Sequence, residues 1–268
     1  MKIYISSDIE GTCGFSAMDE GRIGAPNNDY FRHQMSMEVA AVCRGASKSG
    51  ANEILVHDAH GTARNIDPAV LPQNVCLMRG SVGDPYAMMS GLQDGGYDAA
   101  MLTGFHSGVG SDQNPASHTF NTLTVGLWLN GVPLSEMMFD VFTAASLQVP
   151  TCFVCGDEGL CQTAKELVPN ITAISPLKGR GAASISIHPQ LALEHIEDAA
   201  AKALSGDYKN CFPKKPDSFT LRMQFRSHLD AYFNHFYPGI VMLNSTTLEY
   251  TAKDWYDILV MVHFVLDK

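Results

Sequence analysis

The sequence lacks long hydrophobic runs, and no stretch reaches the roughly 18 apolar residues of a membrane-spanning helix. It also lacks positive charge, since 18 Lys and Arg residues against 28 Asp and Glu residues give a net charge of −10. This balance argues against nucleic acid or an anionic membrane as the main partner and suits a cationic ligand, such as metal ions or an amine. Hydrophobic residues make up 46% and charged residues 17%, which indicates a globular protein rather than a disordered one.

Two further motifs are missing. The basic, Gly-rich residues 177–184 lack the spacing of a P-loop or a dinucleotide fingerprint, so we predict a plain loop there. Cys152 and Cys155 form a C-x-x-C with Cys161 nearby, but they lie in an apolar, strand-like run and no second pair completes a metal site. Seven scattered cysteines favour reduced, buried thiols. Because the N-terminus leads directly into a predicted strand without a secretory segment, we expect a cytoplasmic protein.

The order of the predicted elements indicates the α/β class. A chain of 268 residues is long enough for one large α/β domain or two smaller ones. We predict a mainly parallel sheet flanked by helices, with a smaller C-terminal α+β part. The PKKP stretch at residues 213–216 is the best boundary, which would separate a metal-binding catalytic domain at 1–212 from a subdomain at 213–268. Short helices are expected at residues 84–92 and 228–235, and a closing helix at 251–266.

Two carboxylates follow the first predicted strand. Residues 2–7 favour a strand, and Asp8 and Glu10 come directly after them, before Gly11. Residues two apart in an extended chain point to the same side, so both acids would project together from the carboxyl end of the strand. Adjacent carboxylates repel unless a cation or a proton lies between them. Taken alone, this pair fits either a metal site or two solvated acids in a turn.

The same arrangement recurs along the chain. A predicted strand at residues 53–56 leads to His60, and another at residues 98–102 leads to His106. A strand, helix, strand order implies a right-handed crossover that makes the first two strands parallel neighbours. Their carboxyl ends would then meet at the edge where open α/β sheets bind ligands. Glu136 begins a later predicted helix, where an acid is ordinary because it favours the helix dipole.

Because acidic residues and histidines follow several predicted strands, together they indicate a shared site that no single residue would indicate. Mixed imidazole and carboxylate ligands without thiolate suit Zn²⁺, with Mn²⁺ or Co²⁺ as alternatives. The candidates are more than one ion needs, which predicts a two-metal hydrolytic site with Asp8 as a potential bridge. The predicted ligands are Asp8, Glu10, His60, His106 and Glu136. His118 lies outside this set in a Gly/Ser-rich loop, where it would be free for acid–base or nucleophilic work.

These residues lie in motifs that resemble the DppA-type D-aminopeptidases. The stretch SSDIEG at residues 6–11 is similar to the S-x-D-x-E-G signature of that family. Residues 57–60, HDAH, resemble the family's N-D-S-H, with Asn65 downstream, and residues 104–106, GFH, resemble its G-Y-H. Ser117-His118 resembles S-H, and residues 129–136 resemble I-N-x-x-x-x-G-E. Residues 156–158 resemble G-D-D, and residues 164–170 resemble E-E-L-I-P-N. The resemblance runs over nearly the whole chain and is weakest at about residues 213–237.

The resemblance implies more than the spacing does. Members of that family are zinc metallopeptidases encoded with bacterial dipeptide-transport genes. They bind two zinc ions through residues that match the five predicted ligands, with the match to Asp8 bridging, and the match to His118 is proposed as nucleophile or base. They release N-terminal D-amino acids from short peptides, D-Ala-D-Ala among them. Their best-known architecture is a ring-stacked decamer, so the resemblance implies a homodecamer here.

The sequence departs from the family motifs around the pocket. The loop between His106 and His118 is one residue longer, His57 stands where the family often has Asn, and Ala116 replaces Met. These departures affect the expected substrate more than metal binding. Two alternatives therefore stay open: a dinuclear-metal dipeptidase or amidase with different stereochemical or side-chain preference, or a non-catalytic protein that binds metal or peptide. The second has no need for the extra base at His118.

Overall fold

The structure is a computed structural model that describes residues 1–266. The helices are α1 (Asn28–Lys48), α2 (Glu136–Ser146), α3 (Glu158–Leu167), α4 (Pro189–Ser205), α5 (His228–Asn234) and α6 (Trp255–Val265). The strands are β1 (Lys2–Ser7), β2 (Glu53–Asp58), β3 (Val75–Met78), β4 (Ala99–Phe105), β5 (Thr124–Leu129), β6 (Val132–Pro133), β7 (Thr151–Asp157), β8 (Thr172–Arg180), β9 (Ala183–Ser186), β10 (Phe219–Phe225), β11 (Val241–Asn244) and β12 (Thr247–Ala252). Both parts of the predicted α/β fold are therefore present.

A seven-stranded sheet in the order β3-β2-β1-β4-β7-β8-β9 forms the centre of the molecule. All neighbouring strands are parallel except β8 and β9. Strand β4 is buried along its entire length and reads as one apolar run, as expected for a strand covered on both faces. After β3 the chain returns to the other side of β1, so a crevice opens between the carboxyl ends of β1 and β4. The predicted site lies at this crevice.

A second, antiparallel sheet in the order β11-β12-β10-β5-β6 lies beside the first. Every second residue of β10 is buried, which is typical of a strand with one covered face. Asn130 and Gly131 join β5 to β6 with backbone φ angles of 50° and 82°, as in the two-residue hairpin turns that Asn-Gly favours. Strands on both sides of residues 213–216 share this sheet. The division into two domains at that point stays a prediction.

Helix caps and side-chain pairs fix the helices around the sheet. Ser135 caps α2 by accepting a hydrogen bond from Met138 N, which sets Glu136 in the first turn. Helices α1 and α4 pack closely together, and Glu197 on α4 pairs with both Arg44 and Lys48 on α1. No helix of residues 1–266 is long and apolar enough to cross a membrane.

Three local predictions are wrong. Residues 84–92 form short 3₁₀ turns rather than a helix, because the Asp84 carboxylate accepts from Tyr86 N, Ser90 Oγ and Gln93 Nε2. The Gly-rich residues 177–184 are not a plain loop but belong to the β8–β9 hairpin. The closing helix begins at Trp255, since residues 247–252 pair with β10 as strand β12.

Candidate metal centre

The ends of β1 and β2 bring three predicted ligands together. These strands pair in parallel, with Ser7 opposite Asp58. His60 Nδ1 therefore lies 3.1 Å from Asp8 Oδ1 and 3.0 Å from Glu10 Oε2. Both carboxylates are almost fully buried. We call Asp8, Glu10 and His60 the first cluster; one ligand atom from each lies within 4.8 Å of the others.

The end of β4 and the start of α2 supply a second cluster, which consists of His106, His118 and Glu136. His106 Nε2 lies 3.5 Å from Glu136 Oε2 and 3.5 Å from Asp8 Oδ2. Asp8 thus faces the first cluster through Oδ1 and the second through Oδ2, which is the geometry that a bridging carboxylate needs. The structure brings all five predicted ligands to one edge of the sheet.

His118 reaches the site from the loop that follows β4. Its ring stacks on the His106 ring with centroids 4.4 Å apart and planes 16° apart. Its Nε2 lies 3.8 Å from Glu136 Oε1, close enough to be a ligand as well as a proton carrier. The ring keeps 15% of its surface exposed, whereas His106 keeps 1%. His118 is therefore the imidazole of the second cluster that a ligand entering from solvent can touch.

All three imidazoles are held in the same way. One ring nitrogen of each lies 2.9 Å from a backbone carbonyl, in the pairs His60 Nε2 with Gly21, His106 Nδ1 with Ser107 and His118 Nδ1 with Ala116. A carbonyl only accepts, so we assign the proton to that nitrogen. The other nitrogen of His60 and of His106 faces the carboxylates, where it carries a proton in the metal-free protein and offers its lone pair once a metal ion replaces that proton. Metal-binding histidines are commonly oriented by such an outer hydrogen bond.

The residues present fit a cation. Asp8 Oδ2 and His106 Nε2 are buried, face each other at 3.5 Å and have no hydrogen-bond partner in the described chain. Buried acceptors without a donor cost roughly 1–3 kcal/mol each, so such a pair requires a cation or a proton. Two ligands held at the usual zinc distances of about 2.0–2.2 Å in a tetrahedral site lie roughly 3.4 Å apart. Carboxylate and imidazole donors without thiolate also suit Zn²⁺.

Burial and the neighbouring charges in the first cluster shift the pKa values of its two acids in opposite directions. Burial and the neighbouring Glu10 carboxylate raise the pKa of Asp8 to about 7. Burial would also raise the pKa of Glu10, but His60 opposes it and holds that pKa well below its usual range. Burial would lower the pKa of His60, yet Glu10 and Asp8 raise it well above the ordinary value. Each charge in the cluster therefore depends on an opposite charge between or beside it.

In the second cluster, too, the charge on each residue depends on an opposite charge beside it. One neighbouring acid, Asp140, is not part of the cluster. Burial opposes the charge on His106, but Glu136 and Asp8 raise its pKa to about 10. His106 in turn lowers the pKa of Glu136 against the effect of burial. Asp140, one turn further along α2, is fully buried, and burial together with Glu136 raises its pKa well above the usual range. Asp140 belongs to neither cluster and is not among the proposed ligands.

Several supporting residues were not predicted. Asp58 accepts hydrogen bonds from Asn65 and Ile66, while Asn65 Nδ2 also donates to His60 O at 2.8 Å, so Asp58 holds the turn that carries His60. Asn65 appeared in the sequence only as a downstream motif match. The i, i+2 spacing of Asp58 and His60 gave no sign that the two side chains serve different purposes.

The loop that carries His118 is tied down at both ends. The Asp157 carboxylate accepts from Ser107 N and Oγ at 2.6 Å while it also caps α3. Asn114 Nδ2 donates to Glu10 O at 3.0 Å. Phe120, with a backbone φ of 62°, donates its N–H to Glu136 Oε1. Asp157 appeared in the sequence only within the match to G-D-D, and no sequence signal indicated the contacts of Asn114 and Phe120.

Close backbone approach between β1 and β4 requires glycine. Gly104 has a φ of 74°, and a Cβ added there would lie 2.1 Å from Asp8 O. This contact places the chain before His106 directly against Asp8. The cysteines take no part in the site: Cys152 and Cys155 are buried in β7, and all seven cysteines are free thiols.

Comparison with known proteins agrees with this geometry. A family model described as D-aminopeptidase matches residues 1–264. A D-aminopeptidase of Bacillus subtilis (strain 168) is 29% identical over 259 residues, which cover 95% of this chain and 92% of that protein. The solved structure of the Zn-dependent D-aminopeptidase DppA from Bacillus subtilis, described as a self-compartmentalizing protease, is similar with a TM-score of 0.89 at 26% identity, covering 100% of this chain and 98% of that one.

These matches confirm the resemblance seen in the motifs, the α/β fold and the prediction of a metallopeptidase. The family model spans all five predicted ligands and His118. This chain is a member of the D-aminopeptidase family.

Proposed function

We propose that this chain is a zinc-dependent aminopeptidase that removes N-terminal D-amino acids from short peptides such as D-Ala-D-Ala, with two zinc ions in each subunit. The observation that carries the proposal is the pair of clusters joined by Asp8, in which imidazole nitrogens face buried carboxylates. The zinc dependence and D-aminopeptidase activity stated for the structural neighbour support the choice of ion and of substrate.

Each cluster would hold one ion. Asp8, Glu10 and His60 would bind the first, and His106, Glu136 and Asp8 the second. When bound, the two ions supply Lewis-acid polarisation of the scissile carbonyl and lower the pKa of an attacking water. His60 and His106 are oriented for this role by the carbonyls of Gly21 and Ser107. The buried site excludes bulk water, which strengthens every charge interaction within it.

His118 is the residue that we propose to move the proton or to attack the carbonyl. Its Nδ1–H is held by Ala116 O, so its Nε2 lone pair points to the site at 3.8 Å from Glu136 Oε1. A neutral imidazole in this tautomer accepts a proton at Nε2 and returns it to the leaving amine. Stacking on His106 fixes the plane of the ring, which limits the orientations that the lone pair can take.

A panel of paired D- and L-dipeptides, assayed on protein of measured zinc content, tests the proposed activity. We expect turnover of D-Ala-D-Ala and little turnover of L-Ala-L-Ala. Preferred hydrolysis of the L-dipeptide would overturn the stereochemical assignment and favour another dinuclear-metal dipeptidase. Binding without any turnover in the zinc-loaded protein would favour the non-catalytic alternative.

The His118→Ala variant tests the proposed role of that residue. Loss of a positioned acid–base group costs roughly 10²–10⁴-fold in rate, so kcat should fall by that amount. Zinc content measured by elemental analysis should stay near two ions per chain, because His118 is not among the proposed ligands. Wild-type activity in this variant would contradict the role, and loss of one zinc ion would show that His118 is a ligand instead.

We also propose a homo-oligomer, a homodecamer by resemblance to the family, in the cytoplasm. The structural neighbour is described as self-compartmentalizing, which implies an assembly of subunits. Large apolar side chains are exposed on α5 and just after it: Tyr232, Phe233 and Phe236 expose 54%, 71% and 66% of their surface. Such a patch is typical of a contact surface. Sedimentation at a mass about ten times the 29.1 kDa of one chain is expected, and a monomer would contradict it.

A further inference from the structure

The loop between β1 and α1 brings an arginine to the edge of the metal centre. Gly21 O lies 2.9 Å from His60 Nε2, and a Cβ added at Gly21 would lie only 3.0 Å from that atom. The backbone of Gly21 therefore rests on the His60 ring. Arg22 follows directly, and consecutive Cα atoms lie about 3.8 Å apart. The Arg22 side chain thus starts one residue along the chain from Gly21, whose carbonyl contacts the proposed zinc ligand His60.

Local hydrogen bonds hold this loop in place. The Glu20 carboxylate accepts from Ser16 N at 2.7 Å and from Ala17 N at 3.0 Å, so it is already engaged. Asn28 Nδ2 at the start of α1 donates to Glu20 O at 2.7 Å. Arg22 N donates to Asp19 O at 3.0 Å. The position of Arg22 is therefore set by the loop itself.

Arg22 lines a cavity of about 230 Å³ together with Glu10 and His60. Met18, Ile23 and Thr62 are also part of its wall. A larger cavity of about 410 Å³, next to Trp128, contains none of the proposed ligands. The cavity that Arg22 lines is smaller than typical ligand clefts, which have roughly 300–1,000 Å³. Its size suits a short peptide.

The Arg22 guanidinium is exposed and makes no ion pair within residues 1–266, whereas Arg32, Arg44 and Arg222 each pair with an acid. Arg64, Arg79, Arg180 and Arg226 also make no ion pair there, and Arg22 differs from them because it lines this cavity. Arginine presents a planar fork of donors that matches a carboxylate in a bidentate pair. The cavity thus has proposed metal ligands at one side and an unpaired carboxylate-binding group at another.

We infer that Arg22 binds the C-terminal carboxylate of a dipeptide substrate and so restricts the enzyme to very short peptides with a free C-terminus. This inference rests on the proposed function, since it assumes that the scissile bond lies at the two clusters. Glu10, His60 and Arg22 line the same cavity, so a dipeptide that enters it meets the first cluster and Arg22 together. Arg22 is a specificity residue and takes no part in bond cleavage.

The test compares D-Ala-D-Ala with its C-terminal amide in the zinc-loaded wild type and in Arg22→Ala. Loss of a charge-assisted hydrogen bond should lower kcat/KM for the free acid by about 10- to 100-fold, mainly through KM. The same variant should leave the amide unchanged. Arg22→Lys should recover part of the loss because it keeps the charge without the fork. Arg226→Ala, which removes an exposed arginine outside this cavity, should behave as wild type.

An equal change for both substrates, or no change for either, would overturn the inference. A D-Ala-D-Glu amide adds a side-chain carboxylate in place of the terminal one. If Arg22→Ala weakened that amide alone, Arg22 would bind an acidic side chain and the inference would be wrong. Calorimetric binding of the same peptides keeps the test independent of turnover. Tighter binding of the acid than of the amide, lost in Arg22→Ala, supports the inference even if no peptide is cleaved and the proposed function fails.

Discussion

Two regions of the molecule bury carboxylates, and they differ in what faces the acid. Burial raises the pKa of Asp8 in the metal centre and that of Glu38 on α1 to about 7 in each case. Neutral donors surround Glu38, whose Oε1 accepts from Cys13 N and Gln34 Nε2 at 2.9 Å. Asp8 instead faces the Glu10 carboxylate and one ring nitrogen from each of two histidines.

The difference shows that a buried acid with a raised pKa is not by itself evidence of a metal site. Burial favours the protonated form of Glu38, since only one of its oxygens has donors and no second acid lies beside it. The metal centre concentrates acceptors that cannot all be satisfied by one proton. Convergence of lone pairs, rather than burial, distinguishes the two regions.

Asp8→Asn should have the largest effect, because Asp8 is the residue shared by both clusters. The substitution keeps the shape and the acceptor for Ile9 N but removes the charge. We expect zinc content to fall below one ion per chain and kcat/KM to fall by about 10³-fold or more, since bound metal contributes several kcal/mol to the transition state. Elemental analysis and D-Ala-D-Ala turnover measure the two effects.

Asp140→Asn is the matched control. Asp140 is equally buried and lies on α2, and burial raises its pKa well above the usual range, but it belongs to neither cluster and is not a proposed ligand. This variant should keep two zinc ions and most of the activity. Equal loss in both variants would mean that burial of an acid near α2, rather than ligation, explains the result.

Glu38→Gln should have an intermediate effect with a defined pH dependence. The folded-state pKa of about 7 lies above the unfolded value of about 4.5, so the folded protein loses stability as pH rises from about 4.5 to 7 and regains none above it. Gln keeps the same acceptor without the charge. Urea unfolding should show equal stability of variant and wild type near pH 4.5 and a variant more stable by up to about 3 kcal/mol near pH 8. A less stable variant at pH 8 would contradict a neutral Glu38.

Ser135→Ala should have the smallest effect. Ser135 caps α2 through Met138 N at 3.3 Å, and loss of such a cap costs about 1 kcal/mol. Thermal unfolding should register this loss. Zinc content should not change, because Glu136 is also held by Phe120 N and by its neighbours in the second cluster. Loss of a zinc ion in this variant would show that the cap, rather than the cluster, positions Glu136.

The sequence predicted those parts of the site that depend on regular backbone geometry. Asp8 and Glu10 lie at the carboxyl end of β1 as predicted, although the chain turns there and is not extended, and His60 and His106 follow from parallel strands that end at one edge. The outer contacts were not predictable. The carbonyl of Gly21 reaches His60 from a sequence distance of 39 residues, and the N–H of Phe120 reaches Glu136 through a left-handed backbone angle.

The elements of the fold were likewise predictable only where local sequence determines them. Strands with continuous apolar character, such as β4, could be recognised from residue type alone. Strand β12 was predicted partly as helix, because the apolar residues of α6 extend the helical pattern back across the turn at Asp254. The hairpin of β8 and β9 depends on pairing between strands, which glycine-rich local sequence does not reveal.

Zinc titration of the metal-free protein, followed by calorimetry, counts the ions that the two clusters bind. We expect two ions per chain in the wild type and one in Glu10→Ala, which removes a ligand of the first cluster but leaves the second complete. Saturation of the wild type at a single ion, or two ions retained in Glu10→Ala, would contradict a site built from two clusters joined by Asp8.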